Sequence, residues 1–377
     1  MPPSAAPPDP DRILGCLLAG AVGDALGAPV EAMSLAAIRE RHGPYGVAGY
    51  TGPAPGAISD ETQLTLFTAQ ALAQASVRAR ARGIGGATLG LLQSAYLAWA
   101  RGQGEPIPEQ PSLSPGRLAS VPALMSRRGP GRATLAALRK AAERQKPGWP
   151  LGKVDEPING SKGSAGVVRA APCGFGFPGV KGTFTLGCEA AALTHGDPSG
   201  QLPAGVLAAA TASLVRGADL PAALDLAAAE LLRRPHHRET AAALDAAIAL
   251  ARTGPPSPER LESLGRGFTA PEALAIGVYA ALCAESAGGG AEEIGRRGLL
   301  IAVNHSGDSD STGSVCGNLL GARHGSRAVP AGWRDALEVG AAVADLAEVC
   351  ALEFGPNPPA DEWGEPPMSW HMRVFGS

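Results

Sequence analysis

The stretch Asn304-His305-Ser306-Gly307-Asp308-Ser309-Asp310-Ser311-Thr312-Gly313, followed by an apolar run over residues 315–322, organises the fold of this chain. It places two carboxylates two positions apart, with several hydroxyls, directly before a helix-like segment. Carboxylates and hydroxyls are hard oxygen ligands of the type that Mg²⁺, Mn²⁺ and Ca²⁺ prefer. The stretch predicts either a metal-binding helix start or a Ser/Asp-rich turn that only caps the helix.

A calcium-binding EF-hand loop begins with the same Asp-x-Asp-x-x-Gly pattern, so it is the first metal site to consider. With Asp308 as the first loop position, Leu319 occupies the last, where an EF-hand needs a bidentate Glu. The sequence therefore excludes an EF-hand.

Composition predicts a helical protein. Of 377 residues, 45% are hydrophobic and only 4% aromatic, and the apolar residues are mostly Ala and Leu, which suit packed helices better than sheets. The net charge of −3 provides no broad basic surface for nucleic acid. Six scattered cysteines without a Cys-x-x-Cys pair indicate reduced thiols. With no signal-peptide core and no apolar run expected to span a membrane, we expect a cytoplasmic monomer without a membrane partner.

Apolar residues recur at helical spacing through most of the chain. The segments with this spacing are residues 12–26, 64–72, 84–101, 115–145, 186–192, 204–214, 220–232, 240–251, 270–284, 292–303, 315–322 and 333–352. No fixed-period repeat and no internal boundary divides them. The predicted organisation is a disordered tail at 1–11, one all-α domain at 12–353 and a Pro-rich tail at 354–377.

The first helix contains an acid among Ala, Val and Gly. A buried carboxylate needs partners, so Asp24 is either a structural hydrogen-bonding group or part of a polar centre. Gly20, Gly23 and Gly27 lie on or near the apolar face and predict close approach by a neighbouring helix. Glu31 follows in a loop, where a Glu is usually only a solvated charge.

A second acidic helix start follows the Gly- and Pro-rich residues 41–58, which predict a long irregular loop of the kind that often forms a functional lid. The loop ends in Ser59-Asp60-Glu61-Thr62. Either Ser59 caps a helix whose dipole the two acids complement, or the acids and hydroxyls form a second ligand group.

A third polar segment, Asn159-Gly160-Ser161-Lys162-Gly163-Ser164-Ala165-Gly166-Val167-Val168-Arg169, is rich in small residues. Its backbone N–H groups could cradle an anion, and Lys162 or Arg169 could add positive charge. It lacks Walker A spacing and a Rossmann fingerprint, so this interpretation rests on composition. His195 lies beside a turn, where a lone His is more often structural than catalytic.

An all-α bundle could gather these polar groups at one end. Together they supply enough oxygen ligands for two octahedral divalent cations completed by water. Two such ions about 3.5–4 Å apart can clamp a diol or produce a nucleophilic water.

In their order, the motifs resemble the ADP-ribosylglycohydrolase family over about residues 12–325. The similar segments are Gly23-Asp24-Ala25-Leu26-Gly27-Ala28-Pro29-Val30-Glu31, Ser59-Asp60-Glu61-Thr62, residues 159–172, Ala192-Leu193-Thr194-His195 and Gly307-Asp308-Ser309-Asp310-Ser311. The family carries Thr-Asp-Asp-Thr at the second segment, so Ser59 stands for Thr and Glu61 for the second Asp.

The resemblance implies a compact orthogonal multi-helix bundle that holds a binuclear Mg²⁺ or Mn²⁺ centre. The implied metal ligands are Ser59, Asp60, Glu61, Asp308, Asp310 and Ser311, with Asp310 bridging the ions. The catalytic candidates are Glu31, Asp60 and Asp310, of which Glu31 would guard the centre and transfer protons. The substrate-binding candidates are Gly163, Ser164, Ala165, Gly166 and His195 from the resemblance, and Asp24, Lys162 and Arg169 from charge and position.

The resemblance implies a hydrolase that cleaves the glycosidic bond between ADP-ribose and a modified acceptor. Two alternatives stay open: a non-catalytic ADP-ribose-binding or structural member of the same fold, and a two-metal phosphoesterase or other nucleotide hydrolase. The acceptor is also open, since ADP-ribosylated arginine, serine, a nucleic-acid base and O-acetyl-ADP-ribose present the same ADP-ribose. Nucleic acid is expected only as such a modified substrate.

Overall fold

The computed structural model describes residues 6–108, 116–143, 150–176 and 179–376. These residues form 18 α-helices and five short 3-10 helices, and the only β-structure within them is an isolated bridge between Gly163 and Thr269. The α-helices are α1 (Pro10–Gly27), α2 (Leu35–His42), α3 (Asp60–Arg82), α4 (Thr88–Gly102), α5 (Pro122–Met125), α6 (Arg132–Ala142), α7 (Ala165–Val168), α8 (Val180–Ala192), α9 (Pro198–Leu214), α10 (Leu220–Leu231), α11 (Arg238–Ala251), α12 (Pro258–Leu261), α13 (Ala270–Ser286), α14 (Ala291–Val303), α15 (Ser309–His324), α16 (Ala331–Asp335), α17 (Gly340–Glu353) and α18 (Met368–Phe375). The predicted all-α fold class is confirmed.

Glycines allow α1 and α15 to pack backbone against backbone. A Cβ added to Gly23 would lie 2.1 Å from the carbonyl oxygen of Gly313, and one added to Gly321 would lie 1.9 Å from that of Gly15. The predicted close approach of a helix to Gly23 is thereby confirmed. Because the early glycine of α1 meets the late glycine of α15, the two helices run antiparallel. The C-terminal end of α1 therefore lies against the N-terminal end of α15.

The helix α1 starts earlier than the sequence pattern predicts. Asp9 is its N-cap and accepts a hydrogen bond from Asp11 N at 2.8 Å, while Pro10 suits the first helical turn. Asp9 N also donates to Val215 O at 2.8 Å, which attaches this end to the region after α9. Residues 9–11 of the predicted tail are thus part of the packed structure, and residues 1–5 lie outside the described residues. The division into one domain and two tails otherwise stays a prediction.

One segment, Pro10–Val30, is long and apolar enough to cross a membrane by length and composition, and most of it is buried inside the molecule. The expectation that no run reaches such a length was wrong for this segment. Its burial is that of a core helix, since the glycine face of α1 is covered by α15.

Two of the predicted helices are interrupted. Residues 116–143 contain α5 and α6 in place of one helix, because Pro122 and Pro130 cannot continue a preceding turn; residues 115, 144 and 145 of that prediction lie outside the described residues. Residues 333–352 are divided between α16 and α17, because Glu338 N donates to Gly56 O at 3.0 Å and turns the chain toward the 43–58 loop.

The predicted C-terminal tail carries a further helix, α18. Trp370 is 6% exposed there, and its indole N–H donates to Glu353 Oε2 at 2.8 Å. This contact fastens α18 to the end of α17, so part of the Pro-rich tail packs against the helical core.

Candidate metal centre and substrate loop

The start of α3 is held by a carboxylate from α1. Asp24 is 0% exposed and accepts hydrogen bonds from Ser59 N at 3.0 Å, from Thr62 N at 3.1 Å and from the Thr62 hydroxyl. Ser59 is the N-cap of α3, and its hydroxyl accepts from Glu61 N at 3.2 Å. The structure supports the hydrogen-bonded interpretation of Asp24, and it also places Asp24 close enough to the polar centre for its charge to add to the effect of burial in raising the pKa of Asp60 and Glu31. Its full burial leaves no surface for the predicted contact with substrate.

The two acidic helix starts meet although 250 positions separate them in sequence. The Ser311 hydroxyl at the start of α15 donates to Glu61 Oε1 at 2.8 Å. The second oxygen of this carboxylate, Glu61 Oε2, is buried and has no hydrogen-bond partner among the described residues. Asp60 and Asp310 are also buried, at 5% and 3% exposure. Ser311, Glu61, Asp60 and Asp310 therefore form a buried part of one cluster.

Glu31 completes the cluster from its exposed side. The ligand oxygens of Glu31, Asp308 and Asp310 lie within 4.8 Å of one another, which is a spacing that could hold a metal ion. Ala32 N donates to Gly307 O at 2.7 Å and so attaches the loop after α1 to the start of α15. Ala32 has φ +58°, an unfavourable region for a residue with a Cβ, and this turn aims the adjacent Glu31 at the cluster.

The cluster concentrates negative charge without a protein cation. Burial raises the pKa of Asp60, Glu61 and Asp310 well above the ordinary range, and the charge of a neighbouring acid raises each further. Burial and then the charges of Asp308 and Asp24 also raise the pKa of Glu31. Within the described parts of the chain, no Lys or Arg forms an ion pair with these acids.

The donors of the cluster fit a hard divalent cation. All of them are oxygens, and the unpartnered Glu61 Oε2 is a buried ligand atom that lacks a donor or a cation. Buried like charges need protons or a positive ion to become stable. The acids of this cluster could therefore bind metal.

We expect the metal-free protein to lose stability as the pH rises from about 5 to about 8. The folded-state pKa values of Asp60, Glu61 and Asp310 are raised, so the folded protein holds more protons than the unfolded chain across this window, and stability falls with pH. Mn²⁺ at about 100 times its Kd should add roughly 2.7 kcal/mol. The gain should be larger at the higher pH, because ligands must be deprotonated to bind.

Thermal unfolding in EDTA and in Mn²⁺ at each pH measures this linkage. The matched control is Asp310→Asn, which removes one titrating acid and should reduce the pH dependence in EDTA. A metal-free protein that becomes more stable with rising pH relative to this variant would contradict the assignment.

Asn159 attaches the Gly-rich loop to the turn between α8 and α9. Its Nδ2 donates to Thr194 O at 2.9 Å, and its Oδ1 accepts from Gly196 N at 3.0 Å. The backbone around Gly163 then faces His195, since an added Cβ at Gly163 would lie 3.3 Å from His195 Nε2. The predicted proximity of the loop and His195 is present in the structure.

The same loop contacts the acidic cluster. Ser164 Oγ donates to Asp308 Oδ2 at 2.7 Å, and Ala165 and Gly166 begin the short buried helix α7. Ser164 thus joins the predicted substrate loop to a predicted metal ligand. The other predicted site residues of this loop, Gly163, Ala165 and Gly166, flank Ser164 in the chain.

The two cations predicted to assist the loop are engaged elsewhere. Lys162 Nζ donates to Glu239 Oε1 of α11 at 2.6 Å. Arg169 is fully buried and donates from Nη2 to Ala190 O at 3.1 Å and to Thr194 Oγ1 at 2.6 Å. None of these hydrogen bonds is made to the Gly-rich loop that the two cations were predicted to assist. The polar groups that the Gly-rich loop can still offer to an anion are its backbone N–H groups and its hydroxyls.

One neighbour of the cluster was missed in the sequence. Arg266 O accepts from Asp308 N at 2.8 Å, and a Cβ at Gly267 would lie 3.2 Å from Asp308 Cβ. The alternating glycines of Gly265-Arg266-Gly267 were a usable signal, because they permit the close backbone approach that the structure shows. Asn304 has a comparable role for the 43–58 loop, since its side-chain amide exchanges two hydrogen bonds with the Val47 backbone, at 2.7 and 2.9 Å.

Comparison with known proteins agrees with this geometry. The sequence model of a family described as ADP-ribosylglycohydrolase matches residues 5–359. A solved structure titled "ADP-ribosylglycohydrolase-related protein complex" is similar with a TM-score of 0.61 and 28% sequence identity, over 90% of this chain and 97% of that chain. No curated protein matches the sequence at a significant level. Since the family match spans nearly the whole chain and includes both acidic helix starts, the protein belongs to the ADP-ribosylglycohydrolase family.

Proposed function

We propose that this protein is a metal-dependent hydrolase that cleaves the glycosidic bond between ADP-ribose and a modified acceptor and releases ADP-ribose. Family membership supports a glycohydrolase function. The metal dependence, a pair of Mg²⁺ or Mn²⁺ ions and the acceptor are the finer parts of the proposal. Six buried free cysteines support a reducing, cytoplasmic setting, and the monomeric state stays a prediction.

One observation carries the proposal: the two acidic helix starts converge at the Ser311–Glu61 hydrogen bond of 2.8 Å. A helix cap needs only its own local backbone, so capping alone does not explain why carboxylates from α3 and α15 face each other with no Lys or Arg paired to them among the described residues. A shared ligand does explain it. Ser59, Asp60 and Glu61 from one side and Asp308, Asp310 and Ser311 from the other are the proposed ligand set.

The residues of the chain have separable roles in the proposed reaction. Ser311 orients Glu61 through Oε1 and leaves Oε2 available as a ligand. When bound, divalent cations at such a site hold sugar hydroxyls and lower the pKa of water. Glu31, exposed at the edge of the cluster, would accept or donate the proton that glycosidic cleavage transfers. Asp24 positions the start of α3 by accepting hydrogen bonds from Ser59 N and Thr62 N.

We expect the purified protein to release free ADP-ribose from an ADP-ribosylated substrate in Mg²⁺ or Mn²⁺, and to stop doing so in EDTA. Arginine-, serine- and base-linked ADP-ribose and O-acetyl-ADP-ribose form the substrate panel, and chromatography identifies the product. Restored activity after adding back metal is the control for damage by the chelator. Full release in EDTA would overturn the metal-dependent proposal.

The same assay separates the alternatives. AMP or phosphate as the product would indicate phosphoester cleavage. Binding of ADP-ribose by calorimetry without release from any substrate would indicate a non-catalytic binding protein.

A further inference from the structure

Arg169 is a fully buried cation without a carboxylate partner in the part of the chain that the structure describes. Its guanidinium lies 4.5 Å from the centre of the Tyr96 ring, and its Nε and Nη1 atoms have no hydrogen-bond partner there. Burying an unpaired charge is unfavourable, and an apolar side chain would fill the same space more stably. Its Nη2 atom donates to Thr194 Oγ1 at 2.6 Å and to Ala190 O at 3.1 Å.

The direction of that hydrogen bond determines the next one. A guanidinium can only donate, so Thr194 Oγ1 accepts from Arg169. The same oxygen lies 2.8 Å from His195 Nδ1, and Nδ1 is the only acceptor for the Thr194 hydroxyl hydrogen within the described residues. If Nδ1 instead donated, a buried hydroxyl hydrogen would have no acceptor. His195 therefore accepts at Nδ1 and carries its hydrogen on Nε2.

The ring stays neutral in this arrangement. Burial, followed by the positive charge of Arg169, lowers the pKa of His195 to about 3. Nε2 has no hydrogen-bond partner among the described residues, and it faces the backbone at Gly163 of the Gly-rich loop. A neutral His195 thus presents a single N–H donor toward the loop that we place at the substrate.

We propose that Arg169 is a positioning residue that acts through Thr194 to hold His195 as a neutral Nε2–H donor to an oxygen of the bound substrate. The substrate chemistry is that of a nucleoside diphosphate sugar, and this identification rests on the proposed function. The fixed hydrogen position follows from the protein contacts alone. A purely structural Arg169 would fill space beside Tyr96 without dictating the tautomer of His195.

The tautomer is measured by NMR on the full chain with ¹⁵N-labelled histidine, without ligand, with His195→Gln used to assign the signals. We expect hydrogen on Nε2 and an acceptor-type signal from Nδ1 at neutral pH. Thr194→Val, which removes the hydroxyl at similar volume, should lose this preference, and Thr194→Ser should keep it. Hydrogen on Nδ1 in the unaltered protein, or an unchanged signal in Thr194→Val, would overturn the proposal.

Arg169→Met tests the first hydrogen bond of the series, which runs from Arg169 to Thr194. Without the Arg donor, the Thr194 oxygen can accept from Nδ1–H, so we expect a mixture of tautomers. If Arg169→Met does not fold, Arg169→Leu replaces it, since it also removes the Nη2 donor that reaches Ala190 O and Thr194 Oγ1. A folded Arg169 variant with His195 held entirely as Nε2–H would overturn the positioning role.

The donor role is tested by calorimetric titration with ADP-ribose. Thr194→Val should weaken binding about twofold, because a donor tautomer that falls to about half of the population doubles the apparent Kd, and Thr194→Ser should restore it. An altered tautomer with unchanged affinity would overturn the donor role. An unaltered protein that does not bind ADP-ribose would overturn the proposed function, whereas the ligand-free NMR measurement decides the arrangement of Arg169, Thr194 and His195 separately.

Discussion

Replacing Asp310 with Asn should abolish turnover while making the metal-free protein more stable. Asp310 is 3% exposed, and burial followed by the charge of Asp308 raises its pKa well above the ordinary range. Removing its charge relieves repulsion in the metal-free cluster, so the Tm in EDTA should rise. The same change removes the carboxylate proposed to bridge two ions. We expect ADP-ribose release to fall by about 1000-fold or more, equivalent to roughly 4 kcal/mol.

The measurements are kcat/KM for release, calorimetric titration with Mn²⁺ and the Tm in EDTA. Asp335→Asn is the matched control, because this acid has a side chain that is 73% exposed and pairs with the neighbouring Arg334. It should leave all three quantities nearly unchanged. Normal release by Asp310→Asn would remove this residue from the site, and normal Mn²⁺ binding would remove its assignment as a ligand.

Replacing Gly317 with Ala should cause a large loss of stability. A Cβ at Gly317 would lie 2.0 Å from the carbonyl oxygen and 2.4 Å from the carbonyl carbon of Ala19, which are backbone atoms that cannot rotate away. The helices α1 and α15 would have to separate. We expect a loss of about 3 kcal/mol or more. Since the same helix pair brings Glu31 to Asp308 and Asp310, metal binding should weaken too.

Gly182→Ala is the control for the general effect of replacing a helical glycine. Gly182 lies in α8, is exposed, and has no atom within 4 Å of an added Cβ. Its replacement should be neutral or stabilising by up to about 1 kcal/mol, because Ala favours helices. Chemical denaturation of both variants gives the comparison. Equal stability of the two variants would contradict backbone contact between α1 and α15.

Local patterns predicted the helices and their starts well. The apolar spacing identified α1 and α13 within two residues at each end and located α3, α9 and α15 with bounds that were too short, because burial of one or more faces leaves a regular signature. A helix cap was one of the two interpretations of Ser59, and the structure confirms the cap, with Glu61 N as its donor at 3.2 Å. The pattern failed where prolines or distant contacts interrupted it, as between α5 and α6 and at Glu338.

The roles of individual charged residues were harder to predict. Asp24, Lys162 and Arg169 were assigned to substrate by charge and position, and the structure directs them to the start of α3, to Glu239 and to Thr194. A sequence lists the donors and acceptors of each side chain but not its partners. Partners separated by tens to hundreds of positions become visible only when the helices are packed.

The sequence by itself determined the all-α class, the family resemblance and the chemical character of the site, because helical periodicity and oxygen-rich helix starts are local properties. It also supplied the glycines that permit α1 and α15 to touch. Only the tertiary structure decided that those helices are antiparallel, which brings Glu31 to Asp308 and Asp310, and that Ser311 meets Glu61. The physical reason is that these contacts depend on the packing of whole helices across long stretches of chain, whereas a helix and its cap form from neighbouring residues.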